Sequence, residues 1–273
     1  MLRIGHDPLM KYSWFPESEN LYLSHAHEIF YSFVFYNVCH QIVAPILNRM
    51  FFRSHYSSIK DKYVKVDFDV HTVSMIQAAV SLFIIWPTLF LPNNLNVVTY
   101  HGPLTSMVAS LTIGYFLWDL LVCIRYFRVY GFEFLAHAVG SLYVMLLVLK
   151  PFCQPWVGKF LLYEASTPFV NINWYIIQLT DPITKKCIIP MWINVLNGLV
   201  LMATFGLVRL CWGSIATLIL GRQMWLIKDQ LPRTSSIAML VLNVVMNSMN
   251  FMWFSKMIRI AKKLANGSKN KRD

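Results

Sequence analysis

Seven apolar stretches, each long enough to cross a lipid bilayer, constrain this chain more than any other feature. A helix needs about 20 mainly apolar residues to span the hydrocarbon core, where only helices and closed barrels satisfy their backbone hydrogen bonds. Because 56 % of the residues are hydrophobic and only 14 % are charged, a soluble domain with a charged shell is excluded. The sequence predicts an all-α membrane protein with about seven transmembrane helices, at 29–50, 70–91, 104–124, 132–149, 157–179, 188–212 (with a possible extension to 220) and 237–257.

Lysine and arginine residues are divided unevenly between the two ends of these spans. With the N-terminus in the lumen, fifteen of them fall on the cytosolic side and seven on the other, and the loop 92–101 has none. Because loops rich in lysine and arginine stay in the cytosol, we predict a lumenal N-terminus and a cytosolic C-terminus. The net charge of +11 then faces anionic lipid headgroups, and no nucleic-acid partner is needed to explain it.

One membrane domain accounts for most of the chain. We divide the sequence into a polar lumenal N-terminus (1–28), a first transmembrane helix with a basic cytosolic loop (29–65), a main helical domain (66–260) and a basic cytosolic tail (261–273). The tail ends in Lys-Asn-Lys-Arg-Asp at 269–273, which resembles the di-lysine signal that returns membrane proteins to the endoplasmic reticulum. We therefore expect a multi-pass protein of the endoplasmic reticulum membrane.

Five ionisable residues interrupt the apolar spans: His40, Asp119, His137, Glu164 and Arg209. Each costs about 2.5 kcal/mol or more at mid-bilayer unless it meets a partner, water or a ligand, so together they indicate a polar interior. Asp119 and His137 lie at similar depths, about 7–9 Å from the boundary, on helices that a short link makes antiparallel neighbours. We predict that they pair. The pair can carry general acid–base chemistry, and a purely structural pair is the alternative.

A second polar group occupies the fifth span, at Glu164, Thr167 and Asn171, and the sixth span adds Arg209. The spacing i, i+3, i+7 places the first three on one helix face, and Pro168 favours a kink there. Arg209 can reach the carboxylate of Glu164. These residues are interpreted as the polar lining of an intramembrane lipid cavity, in which a Glu164–Arg209 pair is favoured as structural.

No metal or cofactor site is predicted. The five cysteines are scattered without a C-x-x-C pair, which argues against a zinc knuckle or a disulfide framework. The sequence also has no glycine-rich nucleotide-binding loop. His25, His27 and Glu28 cluster before the first span and could hold a metal, but no compact ligand set follows them. A solvated interface is the favoured interpretation of that cluster.

Five motifs, in order along residues 66–254, resemble the TLC-domain family, which includes the ceramide synthases. They are DFDVHTVSMIQ at 67–77, GYFLWDL at 114–120, His137, YEASTPFVNINW at 163–174 and NGLVLMATFGLVR at 197–209. The resemblance implies that six or so helices form a barrel around a lipid-accessible cavity, usually in the endoplasmic reticulum.

Two departures separate the chain from the ceramide synthases. Those enzymes carry two adjacent histidines where this chain reads Ala136-His137, and a more acidic motif where it reads Tyr163-Glu164 and Thr167. The chain resembles more closely the smaller TLC-domain proteins without established synthase activity, which are associated with membrane lipid composition.

We expect a protein of lipid homeostasis that binds or senses a membrane lipid or fatty-acyl ligand and is not a ceramide synthase. One alternative is an acyl-CoA-dependent lipid acyltransferase that uses His137 with Asp119. The other is a structural membrane scaffold, in which the polar residues serve only folding. Catalysis and the oligomeric state are left open.

Overall fold

Seven long helical segments make up most of the part of the chain that the structure describes. The computed structural model describes residues 5–180, 187 and 189–269, with side chains as far as residue 262; Lys185, Lys186 and the end of the tail lie outside the described residues. The long helices within them are α1 (Ala26–Ser57), α2 (Lys62–Phe90), α3 (Pro103–Arg125), α4 (Phe127–Leu149), α5 (157–178), α6 (Met191–Leu226) and α7 (Arg233–Lys269). The prediction of an all-α, multi-pass membrane protein is confirmed.

Six of these helices in the described part of the chain are long and apolar enough to cross a membrane, and α5 is the exception. It consists of an α-helical piece, Val157–Leu161, a 3₁₀ turn, Leu162–Ser166, and a second α-helical piece, Thr167–Gln178. Pro168 offers no backbone donor to the carbonyl of residue 164 and clashes with it, so the winding changes just before this residue. The predicted fifth span is therefore helical over the expected residues and interrupted at the proline.

Six helices close into a ring, and α1 lies outside it. α3 packs against α2 and α4, α4 against α7, α7 against α6, α6 against α5, and α5 against α2. α1 packs along α3 and touches α2 with its second half. This arrangement is the barrel of about six helices that the resemblance implied. The predicted antiparallel contact between the third and fourth spans is present as the α3–α4 pair.

Small residues let α1 approach α3 closely. Ser106 and Ser110 on α3 are fully buried, and Gly114 follows at the same spacing. A Cβ atom on Gly114 would lie 2.6 Å from the carbonyl oxygen of Ile29 and 2.8 Å from the amide nitrogen of Phe33. Only glycine allows two helix backbones to come this near, so Gly114 lets α1 lie directly against the barrel.

The N-terminal segment folds back over the start of α1. Asp7 accepts a hydrogen bond from the amide of Leu9 at 2.8 Å, and the carbonyl of Leu9 lies 3.0 Å from Nε2 of His27. As a result His25, His27 and Glu28 are only 1 %, 2 % and 1 % exposed. The prediction of a solvated interface at these residues was wrong, because the polar sequence before them covers them.

Candidate functional site

A cavity lies within the ring of helices. Its volume is about 820 Å³ when the space at its open mouth is included. Side chains from α3, α4, α5, α6 and α7 line it. The apolar part of the wall includes Phe116, Val144, Met145, Phe160, Leu161, Leu242, Met246 and Trp253. The polar part consists of His137, Ser141, Tyr163, Glu164, Arg209, Asn243 and Asn250.

His137 lines this cavity but does not pair with Asp119. Among the described side chains, no hydrogen bond and no N···O contact within 4.0 Å joins the two. Nδ1 of His137 is buried without a hydrogen-bond partner, and the ring centre lies 6.2 Å from that of Trp253 on α7. Asp119 lies one turn beyond the cavity-lining Phe116 on α3, nearer the α3–α4 link.

The predicted pair fails because depth along a helix does not determine rotation about its axis. Gly131, with φ +71°, bends α4 six residues before His137. The bend changes the direction of the helix between the α3–α4 link and the histidine. His137 therefore faces α7 across the cavity instead of Asp119 on α3.

Arg209 is held by hydroxyl groups of α5 instead of by a carboxylate. Its Nε donates to Oγ of Ser166 at 2.8 Å and its Nη2 donates to Oγ1 of Thr167 at 3.1 Å. The guanidinium also lies 5.2 Å from the centre of the Phe205 ring. The described side chains show no salt bridge between Arg209 and Glu164. A guanidinium has five N–H donors, so three donors of Arg209 are left for other partners. Both Arg209 and Glu164 face the cavity.

The backbone around Arg209 explains how it reaches α5. Residues Phe205–Trp212 form wide π-helical turns inside α6. Such turns are rare, shift the direction of the side chains that follow them and occur frequently at functional sites. The sequence offered no clear signal for this change of winding.

The polar residues predicted for the cavity take different positions. Glu164 and Arg209 line it, whereas Thr167 contributes by holding Arg209. Asn171 is buried, and its Nδ2 donates to Oγ of Ser74 on α2 at 3.1 Å, so it joins α5 to α2 outside the cavity wall. A role of these residues in ligand binding stays a prediction.

Sequence reasoning overlooked Tyr163 as a cavity residue. Its hydroxyl is buried without a hydrogen-bond partner, and a Cβ atom on Gly213 would lie only 2.6 Å from it. The glycine on α6 therefore leaves the room that the phenol ring occupies. No pattern in the sequence pointed to this contact.

The asparagines of α7 divide between a helix contact and the cavity. Asn247 donates to Oγ1 of Thr217 on α6 at 2.8 Å. Asn243 and Asn250 line the cavity instead. Their spacing of seven residues places them on one helix face.

A second buried polar network was also missed, where α1, α2 and α5 meet. Asp69 accepts hydrogen bonds from Nδ2 of Asn48 and Oη of Tyr56, both at 2.8 Å. Thr72 donates to Oδ1 of Asn48 at 2.8 Å and shares a hydrogen bond of 2.6 Å with Tyr175. Because these groups satisfy one another, the network fixes helix positions and offers little to a ligand.

Comparison with known proteins agrees with the motifs. The sequence model of the TLC domain matches residues 67–259. The chain belongs to the TLC-domain family. The resemblance recognised in the sequence is thereby confirmed, and the cavity lies inside the matched region.

Three relatives illustrate how this TLC-domain protein compares with others. Topoisomerase I damage affected protein 4 of Saccharomyces cerevisiae is 58 % identical over 258 residues, which cover 94 % of this chain and 92 % of that protein. An uncharacterized TLC domain-containing protein of Schizosaccharomyces pombe is 29 % identical over a region that covers 90 % of this chain and 81 % of that protein. TLC domain-containing protein 4 of Homo sapiens is 32 % identical over 60 % of each chain. None of the three is named a ceramide synthase, and no solved structure matches the chain significantly.

Proposed function

We propose that this TLC-domain protein binds a membrane lipid or fatty-acyl ligand in its central cavity and acts in lipid homeostasis at the endoplasmic reticulum membrane. The observation that carries the proposal is the position of Arg209, a cation with free N–H donors in an otherwise largely apolar intramembrane pocket. A charged group at this depth is costly unless it meets a partner or a ligand. The hydroxyls of Ser166 and Thr167 satisfy part of it, and a ligand oxygen would satisfy more.

The distribution of groups in the cavity suits an amphiphilic ligand. Phe116, Met145 and Trp253 offer an apolar surface for an acyl chain. Arg209 offers hydrogen-bond donors to phosphate or carboxylate oxygens, and Glu164 beside it offers an acceptor. A headgroup that both donates and accepts hydrogen bonds would use both side chains.

Comparison of two arginines on the same helix tests this proposal. Arg209→Gln removes the charge in the cavity, whereas Arg222→Gln removes an exposed charge of α6. A hydrogen bond to a charged group contributes about 1.5–3 kcal/mol, so we expect lipid binding to weaken about tenfold or more in Arg209→Gln and to stay unchanged in Arg222→Gln. Quantitative mass spectrometry of lipid that copurifies with each variant in detergent measures the difference. Equal lipid content in wild type and Arg209→Gln would contradict the proposal.

The proposed orientation, with a lumenal N-terminus and a cytosolic C-terminus, rests on the charge asymmetry between the loops. The only N-glycosylation sequon is Asn266-Gly-Ser, whose side chains lie outside the described residues. A cytosolic sequon is not glycosylated, so we expect no glycan on it. A glycosidase-sensitive mass shift that disappears in Asn266→Gln would overturn the orientation.

The location in the endoplasmic reticulum rests on the resemblance of the tail to a retrieval signal. Replacement of Lys269 and Lys271 by serine should then allow part of the protein to leave that membrane. Imaging and fractionation of cells that express this variant test the expectation, and an unchanged distribution would assign retention to another feature.

A lipid acyltransferase is the second candidate, and the unpartnered Nδ1 of His137 in the cavity favours it. A histidine in this position can accept a proton from a lipid hydroxyl or amine. The proposed partner Asp119 does not touch it, so the ring lacks the orienting carboxylate that such chemistry commonly uses. For this reason lipid binding is preferred over catalysis.

A further inference from the structure

A compact group of metal-ligating side chains lies away from the cavity, between the N-terminal segment and the start of α1. Ligand atoms of Asp7, His25 and Glu28 all lie within 4.8 Å of one another. Nδ1 of His25 is 2.9 Å from Oε2 of Glu28 and 3.6 Å from Oδ2 of Asp7. The side chains of the three residues are at most 2 % exposed.

Each carboxylate in this group has one oxygen without a hydrogen-bond partner. Oδ1 of Asp7 accepts from the backbone amides of Leu9 and Met10 at 2.8 and 3.2 Å, which leaves Oδ2 unpartnered and directed at His25. In Glu28, Oε1 has no partner, while Oε2 meets His25. Buried carboxylate oxygens left unpaired are costly, so the arrangement calls for a cation.

A divalent cation matches the charge of the group. Two carboxylates and a neutral imidazole carry a charge of −2, which one divalent ion balances. Within the described residues, no lysine or arginine forms a salt bridge with Asp7 or Glu28. A proton on His25 alone would balance half of this charge, whereas one divalent ion balances all of it.

The chemistry of the ligands and their spacing agree with zinc. Imidazole and carboxylate together suit zinc and related transition metals better than calcium or magnesium. At metal–ligand distances of about 2.0–2.2 Å, tetrahedral zinc places its ligand atoms about 3.4 Å apart. The observed separations of 2.9 and 3.6 Å lie on either side of this value. The third separation, between Asp7 and Glu28, is at most 4.8 Å, so side-chain movements would bring the three ligands to this geometry.

We propose that Asp7, His25 and Glu28 bind a zinc ion that clamps the N-terminal segment to the start of α1. His25 and Glu28 are three residues apart and share a face of the first helical turn, and Asp7 is brought to them by the fold of the N-terminal segment. Three protein ligands leave a position for water. Because the site joins two segments, bound zinc stabilises the folded protein.

Metal analysis of the full-length protein, purified in detergent after growth with zinc, tests the proposal. We expect about one zinc ion per chain in wild type, and at least a fivefold loss in Asp7→Asn and Glu28→Gln, because these changes keep the shape but remove the charge. The matched controls are Glu17→Gln and His6→Ala, which alter exposed residues of the same segment and should retain zinc. Wild type without zinc, or ligand variants that retain it, would overturn the proposal.

A measurement on wild type alone covers the case in which the variants fail to fold. Chelator-treated protein is titrated with Co²⁺. Bound Co²⁺ should produce the visible d–d absorption typical of low-coordinate sites, and this absorption should disappear when added zinc displaces the Co²⁺. Removal of zinc should also lower the unfolding temperature, and zinc should restore it. The absence of both the absorption and the shift would refute the site.

Discussion

The contact between α1 and α3 leads to a prediction whose magnitude follows from interatomic distances. In Gly114→Ala the added Cβ would lie 2.6 Å from the Ile29 carbonyl oxygen, and ordinary contact begins at 3.4 Å, so α1 must retreat by about 0.8 Å. Two of the three nearest atoms belong to the backbone and the third is Cβ of Ser32, which is bonded directly to it, so none can rotate away. Overpacking of this kind costs about 1–3 kcal/mol and outweighs the gain of up to about 1 kcal/mol that alanine brings to a helix interior.

Gly198→Ala is the matched control, because Gly198 lies within α6 and a Cβ atom there meets nothing within 4 Å. This variant should gain stability by up to about 1 kcal/mol. The alanine gain is common to both variants and cancels, so we expect them to differ by the overpacking cost of about 1–3 kcal/mol, or on the order of 2–12 °C in unfolding temperature. Thermal unfolding in detergent measures the difference. If Gly114→Ala were as stable as Gly198→Ala, the close approach of α1 to α3 would be refuted.

The remaining predictions concern the cavity. Asp119→Ala and His137→Ala should be additive in unfolding free energy within about 0.5 kcal/mol, because the residues do not touch; a double-mutant cycle with larger coupling would restore the pair expected from the sequence. Ser141→Leu, which places a larger apolar side chain in the cavity, should lower copurified lipid several-fold, whereas Val139→Leu on the exposed side of α4 should not; equal lipid in both would contradict the ligand site. Purified protein given a sphingoid base and acyl-CoA should form no ceramide above a His137→Ala control, since Ala136 replaces the first of the two adjacent histidines of the ceramide synthases; His137-dependent ceramide would favour the enzyme alternative.

Apolar length and family motifs were sufficient to predict the barrel. Each span is recognisable because a bilayer tolerates few polar residues, and the break at Pro168 follows from the missing backbone donor. The ring of six helices came from the resemblance, since apolar length alone does not determine which helices are neighbours. The contact at Gly114 shows how closely α1 packs on the outside of the ring.

The positions of side chains within the cavity were less predictable. A depth estimate placed Asp119 and His137 at one level, but the bend at Gly131 and the rotation of each helix separated them. The 3₁₀ turn in α5 and the π-helical turns around Arg209 altered the register that ideal helix spacing assumes. Such changes of winding depend on tertiary contacts and leave little trace in local sequence.

The burial of His25 and Glu28 was unpredictable for a different reason. Both residues lie in a polar stretch, and polar stretches next to a membrane span are commonly solvated. Asp7 is eighteen residues away in sequence from His25, so its contact with that histidine is a property of the folded N-terminal segment.

The central claim is that the cavity binds lipid, and crosslinking by a photoactivatable fatty acid tests it most directly. A probe with a mid-chain diazirine is irradiated with the purified protein, and the modified residues are mapped by mass spectrometry. The account predicts modification of the cavity residues Met145, Met246 and Trp253, suppressed by excess unlabelled lipid and reduced in Ser141→Leu. Modification confined to outward-facing residues such as Leu218 and Phe132, which are 74 % and 75 % exposed, would contradict it.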